Sequence, residues 1–147
     1  MSMSVGEKKI LIVEDDEATR FLITDAFHIM ETGCTVITSR NGAEAVRVLQ
    51  SVPVDFILTD LEMPVMNGYQ LLSYVRTNHS DIPFLVMTGA TNFVEDRMWA
   101  LGVSHYIVKP FNVVGLVQKV MSNFNDSPLS HTSPREDHDV IAKADSS

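Results

Sequence analysis

The chain has 147 residues, 45% of them hydrophobic and 20% charged, which suits one water-soluble domain with a real core. Its 11 basic against 19 acidic side chains leave a formal charge of −8, with no basic run beyond Lys8-Lys9, so direct nucleic-acid binding is not expected. The single Cys34 allows no internal disulfide, no apolar stretch reaches the roughly 20 residues needed to span a bilayer, and residues 1–6 lack a signal core; a cytoplasmic protein without membrane insertion is the expectation.

Residues 10–13 form an unbroken apolar run, as in a strand buried on both faces. Asp15 or Asp16 can cap a following helix, whose apolar positions Ala18, Phe21, Leu22, Ala26, Ile29 and Met30 recur at three- and four-residue steps until Gly33 stops it. Residues 34–39, rich in β-branched side chains, read as a second strand. Asn41-Gly42 turns into a short helix over 43–50, with Ala45, Val46, Val48 and Leu49 available to pack. Pro53 breaks the chain before an apolar run over 54–60 that ends in Asp60. A third helix is expected over 69–76, a loop over 80–83 and a fourth strand over 84–88. The next helix covers 93–101 with Gly102 beyond its end, a fifth strand covers 105–108, and Asn112 can cap a last helix reaching Phe124.

This alternation argues for an α/β fold, a doubly wound five-stranded parallel sheet with helices on both faces. Residues 1–7 are expected to be disordered and 8–124 to form the domain. Residues 125–147 are turn-rich, lack aromatics and carry five acids against two bases, and read as a flexible acidic tail or linker remnant.

In such sheets ligands bind outside the C-terminal strand ends. The polar groups delivered there are Glu14-Asp15-Asp16, Asp60, Thr88 and Lys109. One acid would suffice to cap the first helix; three crowded acids beside a buried strand call for a cation, and oxygen ligands point to Mg²⁺ or Mn²⁺. Asp60, otherwise an ordinary turn initiator, becomes a candidate nucleophile that forms a covalent phospho-intermediate. Thr88 can serve as a plain β-branched strand residue or bond a phosphoryl oxygen, with Gly89 leaving room. Lys109, otherwise simply exposed, can pair with Asp60 or a phosphate, its reach fixed by Pro110; sequence does not decide the isomer of the Lys109–Pro110 bond.

Four segments carry a family resemblance: Ile10-Leu11-Ile12-Val13-Glu14-Asp15-Asp16, Asp60-Leu61-Glu62-Met63-Pro64-Val65-Met66-Asn67-Gly68, Met87-Thr88, and Tyr106-Ile107-Val108-Lys109-Pro110-Phe111. Over about residues 8–124 the chain resembles the receiver domain of two-component response regulators, of the single-domain chemotaxis-receiver kind. The resemblance implies a flavodoxin-like strand order 2-1-3-4-5 and a phosphoryl group taken from a histidine kinase or histidine phosphotransfer protein. It implies Asp60 as phosphoacceptor, Asp15 as direct Mg²⁺ ligand, Glu14 as a ligand through water and the Glu62 backbone carbonyl as a further ligand. Asp16 then falls to the helix cap, Thr88 to the switch hydroxyl, Lys109 to the phosphate-pairing amine, and Tyr106 to the aromatic that swings inward on activation. A downstream protein partner would read the face built by residues 93–124, and a homodimer is compatible with the same scheme.

The chain departs from the family at Ser104-His105, where acids are common, at Gly89 in place of alanine, and at Glu62, whose charge stands beside Asp60; the last two flank the path of attacking water. Trp99 is read either as core or as part of the partner-reading face, and His28, His79, His131 and His138 form no metal-ligand spacing. The expectation is a stand-alone phosphorylation switch rather than an enzyme in the usual sense. A pseudo-receiver serving as a constitutive binding module is the main rival. An aspartyl-nucleophile phosphatase, with Glu62 as acid/base, is the second. A flavodoxin-like cofactor binder is weaker, for want of a phosphate loop after the first strand.

Overall fold

The computed structural model describes residues 7–79, 81–89, 100, 102, 103 and 105–125. All but Ala100 of the helix expected over 93–101, with Trp99, the departure at Ser104, residues 1–6 and most of the expected tail lie outside the described residues. The strands are β1 (Lys9–Val13), β2 (Thr35–Ser39), β3 (Phe56–Asp60), β4 (Phe84–Thr88) and β5 (His105–Val108). The described helices are α1 (Glu17–Ile29), α2 (Gly42–Ser51), α3 (Gly68–Asn78) and α4 (Val113–Asn125). All strand pairs are parallel, in the order β2-β1-β3-β4-β5, as expected.

Alternation along the strands divides the core into two layers. Leu11, Val13, Ile57, Val86 and Tyr106 point to the face covered by α2 and α3, where they meet Ala45, Leu49, Leu71, Leu72 and Val75. Ile10, Ile12, Phe56, Leu58, Leu85 and Met87 point to the opposite face and pack with Ile23 and Phe27 of α1 and Leu116, Val117, Val120 and Met121 of α4. With both faces covered, the central strands are apolar throughout, the reason their sequences show runs rather than alternation.

Helix α1 forms as expected and buries only part of its apolar surface. Its buried residues are Ile23 and Phe27, whereas Phe21, Leu22 and Ile29 are 64%, 55% and 67% exposed. At 100° per residue, Ala18, Phe21, Leu22 and Ile29 form one stripe, while Ile23, Ala26, Phe27 and Met30 form a second about 130° away. Periodicity finds both stripes; only the position of the sheet says which one is buried.

Because every strand is parallel, every described helix starts at the rim where the strands end. The side chain of Asp16 accepts from the backbone N–H of Thr19, Asn41 from Glu44, and Asn112 from Gly115. Asn67 accepts from Gln70 while the Gln70 side chain accepts from the Asn67 N–H, a capping box that starts α3 at Gly68, one residue earlier than a reading from Tyr69. Replacing Asn67 by Ala removes the half of this box that its side chain supplies, and urea denaturation should show a loss of about 1 kcal/mol with an unchanged m-value; stability within a few tenths of the parent would deny that cap any energetic role.

Candidate functional site

Strands β1 and β3 leave the sheet side by side, with Val13 paired to Thr59. The next residue on each chain is therefore an acid, Glu14 on one and Asp60 on the other. Glu14 is fully buried and Asp60 is 5% exposed. With exposed Asp15 they bring three carboxylates to within 4.8 Å of one another. The remaining acid, Asp16, turns away to cap α1, and its bonds from the Thr19 hydroxyl and N–H hold its pKa below the usual range.

Lys109 supplies the countercharge. Its ammonium donates to Asp60 Oδ2 at 2.7 Å and to Glu14 Oε1 at 3.0 Å, clamping two acids that would otherwise repel. The sequence suggested the first contact and not the second. Burial raises the Glu14 pKa, assisted by the Asp60 charge and opposed by the Asp16 N–H and Lys109. Burial works to lower the Lys109 pKa, yet the bonds to Asp60 and Glu14 and their charges outweigh it, and the net shift is upward. The Lys109–Pro110 bond is cis, and the Lys109 N–H donates to the Thr88 carbonyl at 2.8 Å, tying the ammonium-bearing loop to the end of β4.

Several supporting residues carried no sequence signal of their own. The Arg20 guanidinium donates to the Glu14 carbonyl at 2.7 Å, and the Glu14 N–H donates to the Ser39 carbonyl at 3.0 Å, so α1 and β2 both fix the acid. The buried Thr59 hydroxyl donates to the Asp60 carbonyl at 2.9 Å. Gly68 at the start of α3 lies so close that a Cβ there would stand 2.5 Å from the same carbonyl, which explains glycine at this position. Between them, the loop makes a γ-turn: the Met66 N–H donates to Pro64 at 2.7 Å with Val65 at φ 70°, a costly conformation for a β-branched residue. A bond from the Gly42 N–H to the Met66 carbonyl anchors this loop to α2.

Glu62 is exposed on the same loop, and its N–H donates to Asp60 Oδ1 at 3.1 Å. Thr88 is fully buried, two residues beyond Val86, which pairs with Tyr106, so Thr88 and Tyr106 face the same side of the sheet. The Tyr106 ring is already inside, 4% exposed, where the resemblance implies an inward swing only on activation. His105 is half-buried on β5.

All donors around the acid cluster are oxygens, and its carboxylates converge beside a single ammonium; this set fits a hard divalent cation such as Mg²⁺. Without a cation the clamp carries the whole burden of neutralisation. In chelator at pH 7, Lys109→Met should cost about 3–5 kcal/mol, because two buried carboxylates lose their partner. A carboxylate whose folded pKa is raised binds its proton more tightly in the folded state, so its penalty is relieved as pH falls toward the ordinary value of 4.5. The loss in Lys109→Met should therefore shrink between pH 7 and pH 5; equal losses at both would contradict the clamp. In the parent protein the Lys109 contribution, complete below 10.5, should fade as pH rises through its higher folded value.

Comparison with known proteins agrees with the fold. The sequence matches the response regulator receiver domain over residues 10–121. It is 30% identical over 121 residues to the DNA-binding transcriptional regulator NtrC of Escherichia coli, covering 80% of this chain and 25% of that protein. It is also 30% identical over 138 residues to the transcriptional regulatory protein PrrA of Mycobacterium leprae, covering 92% and 58%. The chain thus spans well under two thirds of either relative. Among solved structures, the chemotaxis response regulator CheY4 of Vibrio cholerae superposes with a TM-score of 0.70 at 28% identity, covering 80% of this chain and 98% of that one. The response regulator protein TrrA of Thermotoga maritima, in complex with Mg²⁺-BeF, gives 0.67 at 31% identity, covering 77% and 96%. Matched by sequence over most of its length and by strand order throughout, this chain belongs to the response regulator receiver domain family.

Proposed function

We propose that Asp60 accepts a phosphoryl group from the phosphohistidine of a histidine kinase or histidine phosphotransfer protein, and that the phosphorylated domain signals through protein contacts. The observation that carries this reading is the clamp: a buried carboxylate at a strand end, held by Lys109 beside Glu14 and Asp15. An Asp60 carboxylate oxygen attacks phosphorus, the phosphorus–nitrogen bond to the donor imidazole breaks, and an acyl phosphate forms on Asp60. Asp15, Asp60 and the Glu62 carbonyl would hold Mg²⁺ directly and Glu14 through water, and the ion would supply neutralisation of the phosphoryl oxygens. Lys109 is positioned to follow the charge as it moves from the carboxylate onto those oxygens. The Thr88 hydroxyl is the candidate to bond the phosphoryl group, and Tyr106, on the same side of the sheet, is the candidate to report that move to the partner-reading surface.

The unburied stripe of α1 supports a protein donor. Phe21 and Leu22 on the early turns of α1 and Val114 near the start of α4 are exposed apolar side chains at the end of the sheet that carries Asp60. A helix bearing the phosphohistidine would cover such a surface while delivering its imidazole to the rim.

Intact mass after incubation with Mg²⁺ and a small-molecule phosphoryl donor should rise by one phosphoryl group in the parent and not in Asp60→Asn. Phosphorylation of both would move the acceptor elsewhere, and no gain in either, joined to no Mg²⁺ affinity, would favour a constitutive binding module. Leu22→Asp should keep labelling by the small-molecule donor at the parent rate but slow transfer from a phosphorylated histidine protein about tenfold or more, as expected for loss of one buried apolar contact. Equal transfer rates would remove α1 from the donor interface.

A further inference from the structure

Helix α3 touches the site at one end only. At the other end Arg76 does something the reaction does not require. Its half-buried guanidinium donates through Nη1 to the Ile82 carbonyl at 2.9 Å, and through Nη2 to the Gly102 carbonyl, also at 2.9 Å. It lies over the Phe84 ring, 5.5 Å from the centroid. One side chain thus joins the end of α3, the loop into β4 and the segment three residues before β5 begins.

Gly102 is shaped to receive it. Its φ of 82° is a left-handed conformation that favours glycine, and a Cβ there would stand 2.8 Å from Arg76 Nε. Among the described residues strand β5 has only β4 as a neighbour in the sheet, and it is four residues long, so few ladder bonds hold it. Two charge-assisted hydrogen bonds are a large addition to so short an edge strand.

We infer that Arg76 is a positioning residue, a latch that fixes the start of β5 to α3 and keeps the Tyr106 ring inside. The helix then has one end packed on the Asp60 carbonyl through Gly68 and the other bonded to the segment that leads into the strand bearing Tyr106 and on to Lys109. The latch itself stands on this geometry alone; its bearing on signalling rests on the proposed phosphorylation switch. Lysine cannot replace the fork, because one ammonium does not offer two planar donors to two diverging carbonyls.

The test is hydrogen exchange of the 147-residue chain, unphosphorylated and in chelator, for the parent, Arg76→Met, Arg76→Lys and Gly102→Ala. Arg76→Met should raise exchange across residues 102–109 about tenfold or more, the effect of losing bonds to a charged donor, while β1 and β2 stay within about twofold. Arg76→Lys should lie between, and Gly102→Ala, which displaces the guanidinium instead of removing it, should give the same local pattern. Nitration of Tyr106 relative to Tyr69 should rise in parallel. An unchanged rate over 102–109 would overturn the latch, and so would an equal rise in β1 and β2, which would mark Arg76 as a general stabiliser. Because the readout needs no phosphoryl group, failure of Asp60 to be phosphorylated and failure of the latch would be seen separately.

Discussion

Everything at the rim depends on keeping two carboxylates together at the end of an apolar sheet. Glu14 and Asp60 follow paired residues of β1 and β3, so the backbone forces them into proximity, and burial makes their repulsion stronger than it would be in water. Lys109 resolves this from the far side of β4, reaching both acids at once. Its carbon stem passes through partly buried space, and its backbone is tied to Thr88, so the ammonium arrives with little freedom left to lose. The arrangement is poised for a ligand of mixed charge: a cation can share the acids and an anion can share the ammonium.

Around that charge cluster the parallel topology does the rest. Each described helix begins at the rim, so capped N-termini surround the acids and their partial positive charge favours anions there. The loop after Asp60 is held at both ends, by Gly68 against the Asp60 carbonyl and by the Met66 carbonyl on α2, and tolerates a left-handed Val65 between them. A rigid loop next to a reacting carboxylate is what an in-line transfer requires, since small displacements cost rate heavily.

How much of this was legible beforehand differs by residue. The strands announced themselves because a sheet covered on both faces leaves runs such as Ile10-Leu11-Ile12-Val13. Asp60 and Lys109 were legible because they stand where apolar runs end. The buried face of α1 was not legible, since a helix with two apolar stripes satisfies the same periodicity twice. Thr59, Arg20, Gly68 and Arg76 were not singled out, because each acts through a backbone carbonyl, and which carbonyl a side chain meets is invisible until the strands are laid side by side.

The sequence by itself determined the class of fold, the order of elements and the identity of the chemical groups at the strand ends, because these follow from local periodicity and from where apolar runs stop. Tertiary structure alone decided that Glu14 faces the clamp, that one lysine serves two carboxylates, and that Tyr106 rests inside the domain. The division has a physical cause. Secondary structure is encoded within a few residues of itself, whereas the Glu14–Lys109 bond joins groups 95 residues apart and exists only after the sheet has assembled.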